Sequence, residues 1–384
     1  MRRLLLLVGA IVLVDTMFFA ALTPLLPHYV EELGLSKASA GVLSGAYAAG
    51  AFVAAIPAGI VAARVGVKPT VLLGLALVAV TTVVFGFAEN IWVLDAARFS
   101  QGLASSFSWT GALVWLLGAA PADRRGQLIG TAMSAAVAGA LLGPVLGGAA
   151  SVVGTGTAFG AVAVIELVLA AWAIRTPAVT PDAADSVRRL AAALRDGRLA
   201  LGVWLVLLPA ALFGVLSVLA PLRLDELGFG AVAIGATFLV AAALESVLNP
   251  FVGRLSDRVG RLAPLRTTLA ASAAITLLLP WLDDRWLLAA FVVAAAGSFG
   301  SFWAPAMSMV SDRAEALGLG SAYGFALVNL AWAPGATLGS AGGGAAARAT
   351  SDAVPYLVLA IVCAVTLLAT VRPLATRRAR TAEG

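Results

Sequence analysis

Cysteine and histidine are almost absent from this chain, which contains only Cys363 and His28. One cysteine cannot form an internal disulfide, and together the two residues cannot supply the four ligands of a structural zinc site. Zinc chemistry and Ser-His-Asp catalysis are therefore not predicted, and neither an enzyme nor a metal centre is expected. His28 lies at the edge of the first apolar stretch, and we interpret it as a surface residue rather than a proton relay.

Charged residues are also scarce, at 12% of the chain, while 61% of residues are hydrophobic and the mean hydropathy is +0.99. A soluble domain carries about twice that charged fraction. Apolar stretches of roughly 20 residues, enough to cross about 30 Å of hydrocarbon, recur along the chain. The first of them resembles a secretory signal peptide, but its apolar run is too long and Asp15 interrupts it. We therefore interpret it as the first of many membrane spans.

These stretches predict an all-α membrane protein with twelve transmembrane helices, which we number as spans 1 to 12 in chain order. The predicted spans are Leu4–Pro27, Ala40–Ala62, Pro69–Phe87, Ile91–Leu117, Leu128–Ala150, Ala158–Ile174, Leu199–Leu222, Ala231–Val252, Leu265–Leu282, Trp286–Val310, Gly320–Gly344 and Pro355–Val371.

The basic residues sort by side once the N-terminus is placed in the cytoplasm. Of the 25 Lys and Arg residues, 20 then lie on the cytoplasmic side, and Arg98 alone falls inside a span. The four on the outside are Lys37, Arg223, Arg285 and Arg348. This bias predicts a multi-pass protein of the cell inner (plasma) membrane with both termini in the cytoplasm. It also explains the sequence pI near 10.0 without a nucleic-acid partner.

An internal duplication divides the chain into two halves. Pro27–Gly66 aligns with Pro221–Gly260 without a gap. The identical pairs include Pro27/Pro221, Glu32/Glu226, Leu33/Leu227, Gly34/Gly228, Gly41/Gly235, Gly59/Gly253, Arg64/Arg258 and Gly66/Gly260. Two pseudo-symmetric six-helix bundles are therefore predicted, at residues 1–174 and 199–384, joined by a cytoplasmic linker at 175–198 in which Val187–Leu194 could form an amphipathic helix. Parallel repeats of this kind are typical of transporters whose substrate site lies between the halves.

The loop after span 2 and its copy after span 8 carry glycine and basic residues at a fixed spacing. The first copy has Gly59, Arg64 and Gly66, with Ala63 where the second copy has an acid. The second copy has Gly253, Asp257, Arg258 and Gly260. The glycines allow a tight turn between spans, and the basic residues hold the loop on the cytoplasmic side.

Span 4 contains Arg98, Gln101 and Gly102, which share one helix face because they lie at i, i+3 and i+4. An arginine within a span costs at least ~2.5 kcal/mol unless it faces a cavity or a partner. Asp15 in span 1 is predicted to lie at a similar depth, so a contact between Arg98 and Asp15, direct or through water, is one interpretation. Pairing of Arg98 with Asp95, one turn outward, is the other.

Span 5 carries the most specific motif, with glycines at every fourth position and a proline among them. The motif residues are Gly139, Gly143, Pro144, Gly147 and Gly148. Such a stripe of small residues lets another helix approach closely. The proline frees a backbone carbonyl, which is tolerated in a membrane only where neighbouring helices restore hydrogen bonds.

Together, the two loops, the span-4 motif and the span-5 motif resemble those of the major facilitator superfamily, and within it the twelve-span drug:proton antiporter group. The resemblance implies that the loop and span-5 residues control the conformational change. It implies that the loop acid helps to hold the cytoplasmic side closed, a role that falls to Asp257 because Ala63 replaces the acid in the first copy.

Four acids lie inside predicted spans, namely Asp15, Asp95, Glu166 and Glu245. Each must face a cavity, find a partner or take up a proton, because an ionised side chain facing lipid is costly. Asp15, Glu166 and Glu245 are the candidate substrate- and proton-binding acids, and Asp15, Arg98 and Glu245 are expected to border one cavity. Further candidate lining residues are Phe18, Phe19, Gln101, Trp303 and Asn329. Phe18 and Phe19 follow Asp15 by one turn, where they could either bind a cation or only pack.

These features predict a secondary active transporter that exports small cationic or amphipathic compounds in exchange for protons. Export of neutral metabolites or sugars is the alternative, and uptake by symport is a weaker one. The proton gradient supplies the energy, so no cofactor is expected. The expected partners are a small-molecule substrate, protons and the lipid bilayer, and the expected state is a monomer.

Overall fold

In the computed structural model the chain is helical throughout its described parts, which are residues 1–121, 124–178, 195–319 and 321–382. The hypothetical helix Val187–Leu194 and most of the linker lie outside these residues. Ten helices are long and apolar enough to cross a membrane. The helix of span 4 and the interrupted helix of span 11 bring the described spans to twelve.

Each span begins within a few residues of its prediction, but several helices end later than predicted, and the helix of span 12 continues from the predicted end at Val371 to Ala382. The observed bounds are Arg2–Leu33, Lys37–Arg64, Val67–Gly86, Ile91–Ala119, Arg125–Val153, Thr155–Arg175, Gly197–Glu226, Ala231–Val259, Leu262–Trp281, Arg285–Ala316, Ser321–Ala349 and Ala353–Ala382.

Three of these spans are interrupted, spans 1 and 10 near their middle and span 11 in its second half. Span 1 changes helix at Ala21, ahead of two prolines. Span 10 breaks at Ser301 and Phe302, between its helices Arg285–Gly300 and Trp303–Ala316. Span 11 contains a π-helical turn at Leu338–Gly342. Interruptions of this kind free backbone groups where side chains or a ligand can reach them.

The duplicated segments share their turn geometry. Gly34 and Gly228 have φ values of 60° and 89°, and Gly66 and Gly260 have φ values of 111° and 88°. Side chains are strained at such positive φ values, which explains why glycine occupies both copies of each turn. The same backbone turns thus connect spans 1, 2 and 3 in the first bundle and spans 7, 8 and 9 in the second.

We call the membrane face at which span 1 begins the basic face, and the other the opposite face. Near the opposite face the two bundles are in contact, most extensively through two helix pairs. Span 2 meets span 11 where a side chain at Gly41 would collide with the Ser340 carbonyl. Span 5 meets span 8 where a side chain at Gly235 would lie 2.9 Å from the Pro144 carbonyl. Glycine therefore permits both contacts between the bundles.

Ion pairs reinforce this contact. The Lys37 ammonium lies 2.6 Å from the Asp352 carboxylate and 3.4 Å from that of Glu226, both in the second bundle. Arg348 of the second bundle donates a 3.1 Å hydrogen bond to the Ser36 hydroxyl of the first. The two bundles are thus closed against each other at the opposite face.

At the basic face, the ion pairs around the duplicated loop lie within the second bundle. Arg261 bridges Asp257 and Asp312, and Arg313 donates to Asp196 at the start of span 7. The hydrogen bonds from Arg313 hold the pKa of the Asp196 carboxyl well below its usual range. A side chain added at Gly59 would meet nothing within 4 Å, and one at Gly253 would meet Ala304 of its own bundle. At these two motif glycines, spans 2 and 8 therefore make no close contact with the other bundle.

Replacing Lys37 with methionine should weaken closure of the opposite face. Partly exposed ion pairs contribute about 0.2–1 kcal/mol each, so losing two should raise the open population about fivefold. The measurement is the rate at which a maleimide labels a cysteine placed at Ser340, which is 3% exposed, in a Cys363→Ala background. Arg285→Met is the control, because Arg285 lies over rings of its own bundle. Equal labelling of the Lys37→Met variant and the unsubstituted chain would contradict the prediction.

Candidate functional site

Asp15 is held in the interior of the first bundle by hydrogen bonds from two other spans. Its carboxylate accepts a 3.1 Å bond from the Tyr47 hydroxyl of span 2 and a 2.8 Å bond from the Ser105 hydroxyl of span 4. Only 6% of Asp15 is exposed. The sequence did not single out Tyr47 and Ser105, whose only signal is a polar group within an apolar span.

Arg98 lies beside this carboxylate without forming a salt bridge to it. Its guanidinium donates to the Gln101 amide oxygen at 3.4 Å and to the Phe19 carbonyl at 3.3 Å, next to the break in span 1. Its central carbon lies 5.0 Å from the Tyr47 ring centroid. Within the described chain, neither a direct Asp15–Arg98 ion pair nor the alternative pair with Asp95 is formed. Arg98 and Asp15 instead share Tyr47 as a neighbour.

Glu166 of span 6 completes this group, which we call the Asp15 cluster (Asp15, Tyr47, Arg98, Ser105 and Glu166). Glu166 is 1% exposed, and its Oε2 atom has no hydrogen-bond partner among the described residues. It lies close enough to Asp15 for the two carboxylates to repel each other. A cluster with two acids and one guanidinium would carry a net negative charge in the membrane if both acids were ionised. One bound proton neutralises it, so the cluster has the chemistry to take up and release a proton.

The two phenylalanines after Asp15 have different surroundings. Phe18 is 2% exposed and packs edge-on against Phe85 and Phe159 inside the first bundle, so it contributes to the core. Phe19 packs against Tyr47 and against Trp332 of span 11, with ring centroids 5.0 and 5.5 Å apart. Phe19 therefore connects the Asp15 cluster to the second bundle, and Asn329 lies partly buried one turn before Trp332.

Glu245 lies in a separate group in the second bundle, which we call the Glu245 cluster (Phe213, Glu245, Asn249, Phe299 and Trp303). Its side chain lies against Gly300 at the break in span 10, within hydrogen-bonding reach of Trp303 and Asn249. Phe213 stacks on Trp303 at an interplanar angle of 8° and meets Phe299 edge-on. The contacts of Asp15 and those of Glu245 have no residue in common. The acids therefore form two groups, one in each bundle, and that Asp15, Arg98 and Glu245 border one cavity stays a prediction.

The span-5 motif positions the segment of span 1 that carries Asp15. Side chains at Gly139, Gly143 and Gly147 would collide with the backbone or side chains of span 1 between Leu13 and Pro24. On the other side of span 5, a side chain at Gly148 would lie 3.8 Å from Val232 of span 8. Span 5 thus lies between the Asp15 segment and the second bundle, where it can transmit a movement from one to the other.

Twelve spans in two six-helix bundles, with buried charges at mid-membrane and contact between the bundles at one face, define a polytopic membrane transporter of the alternating-access class. The Major Facilitator Superfamily profile matches residues 8–336. The chain belongs to the major facilitator superfamily.

Relatives of known name agree with this assignment. The chain is 28% identical over 292 residues to multidrug resistance protein MdtG of Proteus mirabilis, covering 71% of each chain. It is 32% identical over 157 residues to probable vesicular acetylcholine transporter-B of Danio rerio, a match that spans only 32% of that protein and 38% of this chain. Among solved structures, a bacterial homologue of the human lysosomal transporter Spinster has a TM-score of 0.77 at 16% identity, over 96% of both chains.

Proposed function

We propose that the protein exports small cationic or amphipathic compounds in exchange for protons. The observation that carries the proposal is the Asp15 cluster, in which two nearby carboxylates and one guanidinium are buried at mid-membrane. Such a group is most stable when it holds one proton. A conformational change that exposes it first to one face and then to the other would couple proton entry to substrate exit.

The basic face is proposed to be cytoplasmic, in an inner (plasma) membrane with both termini inside. The contacts at the opposite face then correspond to a state that is closed to the outside. The protein is proposed to act as a monomer. It is also proposed to need no cofactor, because the proton gradient supplies the energy, at ~1.4 kcal/mol per proton for each tenfold difference in proton activity. No chemical reaction on the substrate is proposed, so the protein would not be an enzyme.

The names of the relatives favour this substrate class. One relative is named for multidrug resistance and another for acetylcholine, a cation. Export of neutral metabolites or sugars on the same scaffold is the alternative, since the Asp15 cluster would couple either kind of substrate to protons.

Transport in proteoliposomes with an imposed pH gradient tests the proposal. Organic cations and sugars are offered in parallel to the purified full chain, with protein-free liposomes as the control. We expect cations to accumulate in the acidic lumen only while the gradient lasts, and a protonophore to abolish the accumulation. Accumulation of sugars alone would favour the alternative, and accumulation that persists after the gradient is collapsed would contradict proton coupling.

A further inference from the structure

The two acidic clusters differ in what surrounds the carboxylate. Asp15 already accepts two hydrogen bonds, is 6% exposed, and has the Arg98 guanidinium beside it. A substrate cation placed at Asp15 would have to displace the Tyr47 or Ser105 donor and would be repelled by Arg98. The Asp15 cluster therefore suits a proton, which needs no space and adds to one carboxylate oxygen.

Glu245 has the opposite surroundings. It is only partly buried, and the groups within reach of its carboxylate, Trp303 and Asn249, are uncharged. Trp303 lies beside it, and the stacked Phe213 and Trp303 rings offer aromatic surface to an organic cation. Gly300, at the break in span 10, makes room for the Glu245 carboxylate, because a side chain at that position would collide with it.

Asn249 provides an independent sign of a binding site. The Asn249 side chain lies within reach of Glu245, yet its Oδ1 atom is buried and has no hydrogen-bond partner among the described residues. A buried acceptor without a partner is costly, and few such atoms occur in folded proteins. An N–H group of a bound ammonium would satisfy it, given a small side-chain rotation that turns Oδ1 towards the ligand.

We infer that the Glu245 cluster binds the cationic group of the substrate and that the Asp15 cluster carries the proton. The inference rests on the proposed function and makes it more specific. The ligand class is a protonated amine attached to an aromatic or aliphatic body: the ammonium pairs with Glu245 and donates to Asn249, and the body lies on the Phe213–Trp303 pair. Substrate and proton then bind in different bundles, and their exchange is coupled through movement of the bundles rather than through competition for one carboxylate.

Binding of two matched probes to the purified full chain in detergent tests the inference. The probes are 1-naphthylmethylamine, which is protonated at neutral pH, and 1-naphthylmethanol, its uncharged counterpart with the same rings. Isothermal titration measures both with the unsubstituted chain and with Glu245→Gln, Glu245→Asp, Asp15→Asn and Glu315→Gln. Glu315 is the matched control because it is an exposed acid on the same span as Trp303.

We expect Glu245→Gln to raise the Kd of the amine about tenfold or more, because it removes the charge of a charge-assisted contact. The same variant should change the Kd of the alcohol less than about twofold, which shows that the site is still folded. Glu245→Asp should retain most of the preference for the amine, and Asp15→Asn and Glu315→Gln should bind the amine as the unsubstituted chain does.

Amine binding that is unaffected by Glu245→Gln would overturn the inference, and so would an equal loss in Asp15→Asn. Absence of amine binding to the unsubstituted chain would overturn it as well. None of these results tests proton coupling, which is judged separately by gradient-driven transport in proteoliposomes. If the gradient drives transport but Glu245→Gln binds the amine normally, the inference fails while the proposed function stands.

Discussion

Replacing Asp15 with asparagine should abolish gradient-driven accumulation of substrate in proteoliposomes while leaving downhill exchange of substrate intact. If one proton is exchanged for each substrate cation, a tenfold difference in proton activity supports about a tenfold accumulation, because each factor of ten corresponds to ~1.4 kcal/mol. Asparagine keeps the size of the side chain and its acceptor oxygen for Tyr47 and Ser105, but it cannot gain or lose a proton. The accumulation ratio should therefore fall to about one.

Gradient-driven accumulation should also be measured for Glu166→Gln, because we propose that Glu166 and Asp15 share one buried proton. Asp95→Asn is the matched control: it makes the same chemical change in span 4, one turn outward from Arg98 and outside the Asp15 cluster. The control should accumulate substrate as the unsubstituted chain does. Normal gradient-driven accumulation by both Asp15→Asn and Glu166→Gln would show that neither acid couples transport to protons.

Leucine at two glycines of span 2 should trap the protein in opposite conformations. Gly41 lies against Ser340 and the Gly344 backbone in the closed opposite face, so a leucine there would force spans 2 and 11 apart. Overpacking of this kind typically costs about 1–3 kcal/mol, enough to shift a two-state equilibrium roughly 5- to 150-fold. Gly59 at the other end of the span has free space around it in this state. A leucine at Gly59 should therefore be tolerated while the opposite face is closed, but it should obstruct closure of the basic face.

Distances between spin labels distinguish the two traps in a Cys363→Ala background. One label pair, at Glu89 and Ser351, spans the opposite face, and the other, at Val65 and Val259, spans the basic face; all four positions are exposed. Gly41→Leu should lengthen the distance across the opposite face, whereas Gly59→Leu should keep it short. Both variants should lose transport. If Gly41→Leu transports normally with unchanged distances, closure at Ser340 is not part of the cycle.

Much of the fold could be predicted from local sequence because the membrane imposes a simple rule on it. A run of about 20 apolar residues must form a helix, so the spans were located without knowledge of their neighbours. The duplicated glycines at Gly34 and Gly228 marked turns whose backbone excludes side chains. The breaks at Ala21 and Ser301 were not predicted, because neither residue is a helix breaker and packing of distant spans decides the outcome.

The candidate site was predicted only in part, since its geometry depends on contacts between spans far apart in the chain. The cost of burying charge singled out Asp15, Arg98, Glu166 and Glu245. Nothing in the sequence showed that Tyr47 stands between Asp15 and Arg98, or that Phe18 turns into the core while Phe19 reaches Trp332. Nor could spacing along the chain reveal that Glu245 has separate neighbours.

Protonation of the Asp15 cluster should drive the bundles between a state closed at the opposite face and a state closed at the basic face. Both spin-label distances, measured in acidic and in alkaline buffer with and without Asp15→Asn, test this mechanism. We expect one distance to lengthen as the other shortens when the pH changes, and Asp15→Asn to remove this response. The mechanism would be contradicted if the two distances did not change with pH or if both lengthened or shortened together. It would also be contradicted if they responded equally in Asp15→Asn.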